Sequence, residues 1–112
     1  MKSGDIVLIP LPQSDGVIKR RRALLLKQMP PFDDWLLCGI STQLQQKVDG
    51  FDRILESDED YFPQTGLQRT SLIRLGFLAV VPKSQIVGSI GEIPGGLLKD
   101  LLQVLSDFIR TA

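Results

Sequence analysis

The chain has 112 residues, and its 13 basic residues balance 13 acidic ones to a formal net charge of zero. A chain of this length can bury a core of modest size, but it lacks the general positive charge of a protein that coats nucleic acid, so nucleic-acid binding must be local. There is no histidine and one cysteine, which excludes a Ser-His-Asp or Cys-His nucleophile, an internal disulfide and an ordinary zinc site.

Short apolar segments, separated by glycine and proline turns, dominate the first ninety or so residues. We predict strands at residues 6–9, 23–27, 35–40, 51–55, 70–75, 77–81 and 86–90. A turn-forming loop over residues 11–18 joins the first two of them. Many short strands with such turns are typical of a small barrel or a sandwich.

The period of the apolar residues changes after Pro94. Leucines, valine, phenylalanine and isoleucine then recur at spacings of three and four as far as Ile109, which indicates an amphipathic helix near residues 94–110. One helix after a run of strands predicts an α+β, mostly β fold, in a single domain over residues 1–112. The chain passes from Met1 straight into a strand without a signal-peptide pattern, and no apolar run approaches the ~20 residues that span a bilayer. We therefore expect a cytoplasmic protein.

A basic run, Lys19-Arg20-Arg21-Arg22, leads directly into the apolar run Ala23-Leu24-Leu25-Leu26. The apolar half is typical of a buried strand, which would hold the cations rigidly at its mouth. Guanidinium groups bind phosphate oxygens bidentately, so rigid cations there favour phosphate recognition. The alternative is a solvated turn rich in charge.

The remaining chemistry is limited. Cys38 lies inside an apolar strand and is interpreted as an inert buried thiol. The acidic run Asp58-Glu59-Asp60 is interpreted as a solvated loop rather than a Mg²⁺ site, because adjacent carboxylates point in different directions. We expect neither a metal nor a cofactor. Hydroxyls, amides and arginines at strand ends are left, and they fit electrostatic stabilisation of a phosphorane.

Four segments resemble MazF/PemK-type toxins, in chain order and over nearly the whole length. Gly4-Asp5-Ile6-Val7-Leu8-Ile9-Pro10 resembles the family's opening, in which Gly-Asp leads the first strand. The basic run with its apolar continuation is similar to the family's Lys-Arg-Arg-Pro-Ala-Leu-Val-Leu block. Cys38-Gly39-Ile40-Ser41-Thr42-Gln43 resembles the next block, and Ser71-Leu72-Ile73-Arg74 resembles a Ser-Val-Val-Arg strand.

The resemblance implies a small SH3-like barrel of antiparallel strands that dimerises. It also implies the toxin of a type II toxin–antitoxin pair: a sequence-specific, metal-independent endoribonuclease that cuts single-stranded mRNA through attack of the 2′-OH. An antitoxin with an acidic tail would cover the groove. The family's catalytic positions fall on Arg21, Ser41 and Arg74. We assign RNA contacts to Lys19, Arg20, Arg22, Thr42, Gln43 and Gln45.

Departures from the family pattern leave alternatives open. Arg22 stands where the family usually has proline, so Arg21 and Arg22 both remain candidates for the catalytic arginine. Gly76 stands where some members carry an aspartate. The alternative functions are a non-catalytic relative that binds a protein target, as gyrase poisons do, and a plain SH3-like interaction module.

Overall fold

A curled antiparallel sheet forms the body of the protein. The structure is a computed structural model that describes residues 1–12 and 15–111; Gln13 and Ser14, in the loop predicted over residues 11–18, and Ala112 lie outside the described residues. The strands are β1 (Asp5–Pro12), β2 (Ile18–Met29), β3 (Asp34–Ser41), β4 (Arg53–Leu55), β5 (Ser71–Val81) and β6 (Gly88–Glu92). They form a six-stranded sheet in the order β4-β5-β3-β2-β1-β6. Helix α1 (Gly95–Arg110) follows β6.

The sequence predicts the main elements correctly, but several strand boundaries differ. Strand β1 extends to Pro12, into the predicted loop, β4 begins at Arg53 rather than at residue 51, and β6 lies at Gly88–Glu92 rather than at residues 86–90. The two strands predicted over residues 70–75 and 77–81 form one strand, β5, which begins at Ser71 and pairs with β3 on both sides of Gly76. Strand β2 begins at Ile18, five residues before the predicted start at Ala23, because β1 extends to Pro12 and pairs with the basic run. The basic run therefore lies within a strand, and not at the strand's mouth as predicted.

Both faces of the sheet bury apolar side chains, which explains the unbroken apolar run in β2. Alternate residues of a strand point to opposite faces. Leu24 and Leu26 join the core on the face covered by α1, which contributes Leu97, Leu101 and Leu105. On the other face a second buried cluster contains Val7, Ile9, Ala23, Leu25, Trp35 and Leu37.

The two ends of the sheet approach each other through a short 3₁₀ helix, Phe62–Thr65, which follows β4 and packs against β6. Glycines permit the close approach. A Cβ on Gly66 would lie 2.0 Å from the carbonyl oxygen of Ile90, and one on Gly91 would lie 2.3 Å from the carbonyl carbon of Thr65. The contact curls the sheet towards a barrel.

The apolar stripe of α1 is buried as far as Leu105, but the last turn is not. Phe108 is 63% exposed and Ile109 is 67% exposed, although the pattern places both on the apolar face. The ring of Phe108 packs instead against Phe51 at the helix end, with ring centroids 4.7 Å apart. Within the described residues, no helix is long and apolar enough to cross a membrane.

The substitution Gly66→Ala should destabilise the fold severely. Gly66 has a φ of 72°, which costs an L-residue about 1–2 kcal/mol, and its Cβ would also collide with the Ile90 carbonyl. We expect a loss of about 3 kcal/mol or more in the free energy of unfolding, measured by urea denaturation. Gly50→Ala is the matched control, because Gly50 has a similar φ of 74° but open space around it. Equal losses in the two variants would show that the closure by the 3₁₀ helix is unimportant.

Candidate active site

Strand register brings Arg21 and Arg74 to one face of the sheet. Ala23 of β2 pairs with Gly39 of β3, and Gly39 also pairs with Arg74 of β5. Arg21 lies two residues before Ala23 and therefore shares its face. Ile9 of β1 pairs with Arg21 and supplies buried apolar surface beside it. The two arginines thus approach the same place from two strands that flank β3.

A cavity of about 430 Å³ lies at this place. Its apolar floor comes from the second buried cluster, with Ile9, Ala23 and Leu37. Of the predicted site residues, the cavity is lined by Arg20, Arg21, Arg22, Ser41, Thr42, Gln43 and Arg74. Lys19 and Gln45, both predicted to contact RNA, are not among the lining residues. Among the described residues that line the cavity, none is acidic, so the lining is cationic.

Alternation along β2 distinguishes Arg21 from Arg22. Arg21 alternates with Ala23 and Leu25 on the same face of β2, and the side chains of Ala23 and Leu25 lie in the cluster beneath the cavity. Arg22 shares the opposite face of β2 with Leu24 and Leu26, which lie on the side covered by α1. Both arginines border the cavity, but Arg21 is the one that shares the face of Gly39 and Arg74.

Gly39 and Phe77 shape the space around Arg74. A Cβ on Gly39 would lie 3.0 Å from Cδ1 of Phe77, so the ring packs directly over the glycine. The guanidinium carbon of Arg74 lies 5.7 Å from the centroid of the same ring, which is within the range of a cation–π contact. Phe77 therefore contacts the Arg74 guanidinium, and both side chains line the cavity.

Sequence reasoning missed Phe77, Gln46 and Ser71, all of which line the cavity. Phe77 has the apolar character of an ordinary strand residue, and only the register of β5 shows its position. A signal for Gln46 was available in its spacing. The 3₁₀ helix Leu44–Gln46 has three residues per turn, so Gln46 falls on the side of Gln43, whereas Gln45 falls elsewhere.

Ser41 is held by the turn that follows β3. The backbone N–H of Gln43 donates a hydrogen bond of 3.0 Å to Ser41 Oγ, and the Gln45 side-chain amide donates one of 2.8 Å to Gln43 Oε1. A hydroxyl that accepts from a backbone N–H keeps its own proton for another acceptor. Ser41 can therefore donate to a ligand oxygen in the cavity.

Cys38 is fully buried on the helix side of the sheet, away from the cavity. Burial, with a smaller contribution from the charge of Asp52, raises the pKa of its thiol to about 12. A thiol with such a pKa is a poor nucleophile at neutral pH. The acidic run 58–60 is exposed, and no cluster of three or more metal-ligating side chains occurs in residues 1–12 and 15–111.

The fold and the site together define a small β-barrel protein with a cationic, arginine-lined cavity. The family model of PemK-like, MazF-like toxins of type II toxin–antitoxin systems matches residues 2–109, and the chain belongs to this family. Among solved structures, the chain is similar to the Mycobacterium tuberculosis toxin MazF-mt6, with a TM-score of 0.68 and 16% identity over 94% of this chain and 95% of that one. At this identity, the likeness shows the fold. No curated protein matches the sequence.

These findings confirm the predicted family and the mostly β fold with its C-terminal helix. The protein is a toxin of the type II class, and such a toxin is paired with an antitoxin.

The buried Cys38 thiol should make the protein less stable at alkaline pH. Its ordinary pKa is 9.0 and its folded pKa is about 12, so between these values the unfolded chain loses a proton that the native state keeps. The free energy of unfolding should therefore fall across this window, by at most about 1.4 kcal/mol per pH unit. Urea denaturation of the wild type and of Cys38→Ala isolates the contribution, since every other titrating group is common to both. Parallel pH profiles would contradict the assignment.

Proposed function

We propose that this toxin is a sequence-specific endoribonuclease, which cleaves single-stranded mRNA in the arginine-lined cavity without a metal ion. One observation carries the proposal. Arg21, Ser41 and Arg74 come from the three adjacent strands β2, β3 and β5 and line the same cavity. Two guanidinium groups and a hydroxyl donor are what a phosphodiester needs as its charge grows during substitution at phosphorus.

The reaction follows from these groups. The 2′-oxygen of the ribose attacks the adjacent phosphorus, and the bond to the 5′-oxygen of the next nucleotide breaks. The products are a 2′,3′-cyclic phosphate and a 5′-hydroxyl. Arg21 and Arg74 hold the phosphate and stabilise the charge on its equatorial oxygens. The apolar floor lowers the local dielectric and strengthens these contacts.

Proton transfer must be supplied without a carboxylate or an imidazole from the described lining of the cavity. Guanidinium groups keep their protons at ordinary pH and act as donors only. The 2′-hydroxyl proton therefore passes to solvent. A guanidinium N–H hydrogen-bonds to the leaving 5′-oxygen, which takes up a proton from solvent to become the 5′-hydroxyl. The Ser41 hydroxyl donates a hydrogen bond to a phosphate oxygen and keeps its proton. The requirement for a 2′-hydroxyl restricts the substrate to RNA.

The first experiment incubates the purified toxin with a long single-stranded RNA in EDTA. We expect cleavage to fragments with a 2′,3′-cyclic phosphate and a 5′-hydroxyl, identified by mass spectrometry. Single-stranded DNA of the same sequence is the control and should stay intact. Cleavage only after Mg²⁺ is restored would contradict the metal-independent mechanism. An intact RNA under both conditions would favour a non-catalytic relative that acts on a protein target.

Replacing Arg21 with alanine should abolish most cleavage and leave the fold intact. Loss of one preorganised donor costs about 10²–10³ in rate, whereas exposed substitutions change stability by less than about 0.5 kcal/mol. Arg21→Lys should recover little, because lysine lacks the planar fork of donors. The measurement is the single-turnover cleavage rate, with urea denaturation alongside.

Arg22→Ala is the matched control for charge, because Arg22 is the next residue of the same strand and has the opposite parity. We expect a loss of less than about tenfold from weakened phosphate attraction. A larger loss for Arg22→Ala than for Arg21→Ala would transfer the catalytic role to Arg22.

We further propose that the toxin acts as a homodimer and that its antitoxin carries an acidic tail that occupies the cavity. The cationic lining supports the charge of that tail, since opposite charges favour association. Sedimentation at micromolar concentration checks the dimer, and a protein that stays monomeric would contradict it.

A further inference from the structure

Asp52 is a buried carboxylate that the proposed reaction does not use. The residue is 8% exposed, and both of its carboxylate oxygens accept hydrogen bonds from the backbone. Oδ2 accepts from the Val48 N–H at 3.0 Å, within the turn that precedes β4. Oδ1 accepts from the Leu75 N–H at 3.0 Å, on β5. Hydrogen bonds to an ionised acceptor are roughly twice as strong as neutral ones, so Asp52 ties the turn firmly to β5.

The Leu75 amide lies where β5 departs from regular pairing. Gly39 pairs with Arg74 and the preceding residue, Cys38, pairs with Leu78, so residues 75–77 form a bulge opposite β3. The N–H that Asp52 binds belongs to the peptide between Arg74 and Leu75. A peptide group is planar, and this plane includes the Cα and the carbonyl group of Arg74. The hydrogen bond to the Leu75 N–H therefore also restrains the backbone of Arg74.

The same turn supports the next residue of the bulge. A Cβ on Gly76 would lie 3.7 Å from Cε2 of Phe51, the neighbour of Asp52 in the chain. Phe51 in turn packs against Phe108 at the end of α1. Two consecutive residues of the bulge therefore rest on two consecutive residues of the turn.

Asp52 acts from the side of the sheet opposite the cavity. Leu75 and Cys38 belong to the core on the helix side, and the negative charge of Asp52 contributes to the raised pKa of Cys38. Arg74 and Phe77, in contrast, line the cavity. Asp52 does not line the cavity, so its side chain is not placed to touch a substrate there.

We propose that Asp52 is a positioning residue, which fixes the bulge that presents Arg74 and Phe77 to the RNA phosphate. The proposal rests on the ribonuclease function proposed above. Asp52→Ala removes both hydrogen bonds. Asp52→Asn keeps the shape but turns an amide N–H₂ towards one of the two backbone donors.

Thr65→Val is the matched control for loss of a buried hydrogen-bonding side chain. Thr65 is fully buried, donates to the Phe62 carbonyl at 2.7 Å and accepts from the Leu67 N–H at 3.1 Å. It lies in the 3₁₀ helix beside β6 and does not line the cavity. The variant therefore reports the effect of lost stability alone.

The kinetic test compares single-turnover cleavage of RNA. A misplacement of about 1 Å costs up to about 10²-fold in rate, so we expect a loss of about tenfold for Asp52→Asn and about 10²-fold for Asp52→Ala. In an Arg74→Ala background, Asp52→Asn should cause no further loss, because its effect passes through Arg74. The proposal would be overturned if Asp52→Asn reduced the cleavage rate by the same factor in the Arg74→Ala background as in the wild type. It would also be overturned if Thr65→Val, at similar stability, lost as much activity as Asp52→Asn.

A second measurement does not depend on activity. The order parameter of the Arg74 Nε–H, from ¹⁵N relaxation, should fall in Asp52→Asn and be unchanged in Thr65→Val. Unchanged order in Asp52→Asn overturns the positioning role, whatever the cleavage rates. If the order falls while the wild type does not cleave RNA, the ribonuclease proposal fails and Asp52 still positions Arg74 in the cavity.

Discussion

The site depends on the position of a residue without a side chain. Gly39 pairs on one side with Ala23 of β2 and on the other with Arg74 of β5. A larger residue there would meet the ring of Phe77 and fill the space between the strands. With glycine in place, Phe77 lies over the β3 backbone and carries the Arg74 guanidinium on its face. The cavity is therefore a consequence of strand register around one small residue.

Burial on both faces of β2 fixes the backbone that carries the arginines of the basic run. Ala23 to Leu26 are buried alternately in the helix-side core and in the cluster beneath the cavity. Burial on both faces holds this part of β2 in place, and pairing with β1 keeps the backbone of the basic run in the same regular strand. Long cationic side chains lose entropy when they bind a phosphate, but their backbone is already fixed. A solvated turn would have had to order the backbone as well.

The sequence predicts what depends on local pattern, and misses what depends on register. The strands and α1 follow from apolar periodicity, and the cationic and hydroxyl residues of the site follow from the family motifs. The extension of β2 to Ile18 is missed because exposed charged residues join a strand only through their partner, β1. Phe77 and Asp52 are missed for a related reason. The contact of Phe77 with Arg74 and the hydrogen bond from the Leu75 N–H to Asp52 both depend on the three-residue bulge in β5, which no single segment encodes.

The distribution of charge constrains how this toxin could bind RNA under the proposed ribonuclease function. Its net charge is zero, so at a distance the acidic residues offset the cationic cavity, and at physiological salt charges are screened beyond about 8 Å. Attraction at long range is then weak, and affinity must come from contacts made inside the cavity. On the proposed ribonuclease function, the amides of Gln43 and Gln46 would supply such contacts together with the arginines, since all of them line the cavity. Amides can hydrogen-bond the edges of unstacked bases, so local charge on a globally neutral protein fits the proposed recognition of RNA sequence better than indiscriminate attachment to phosphate.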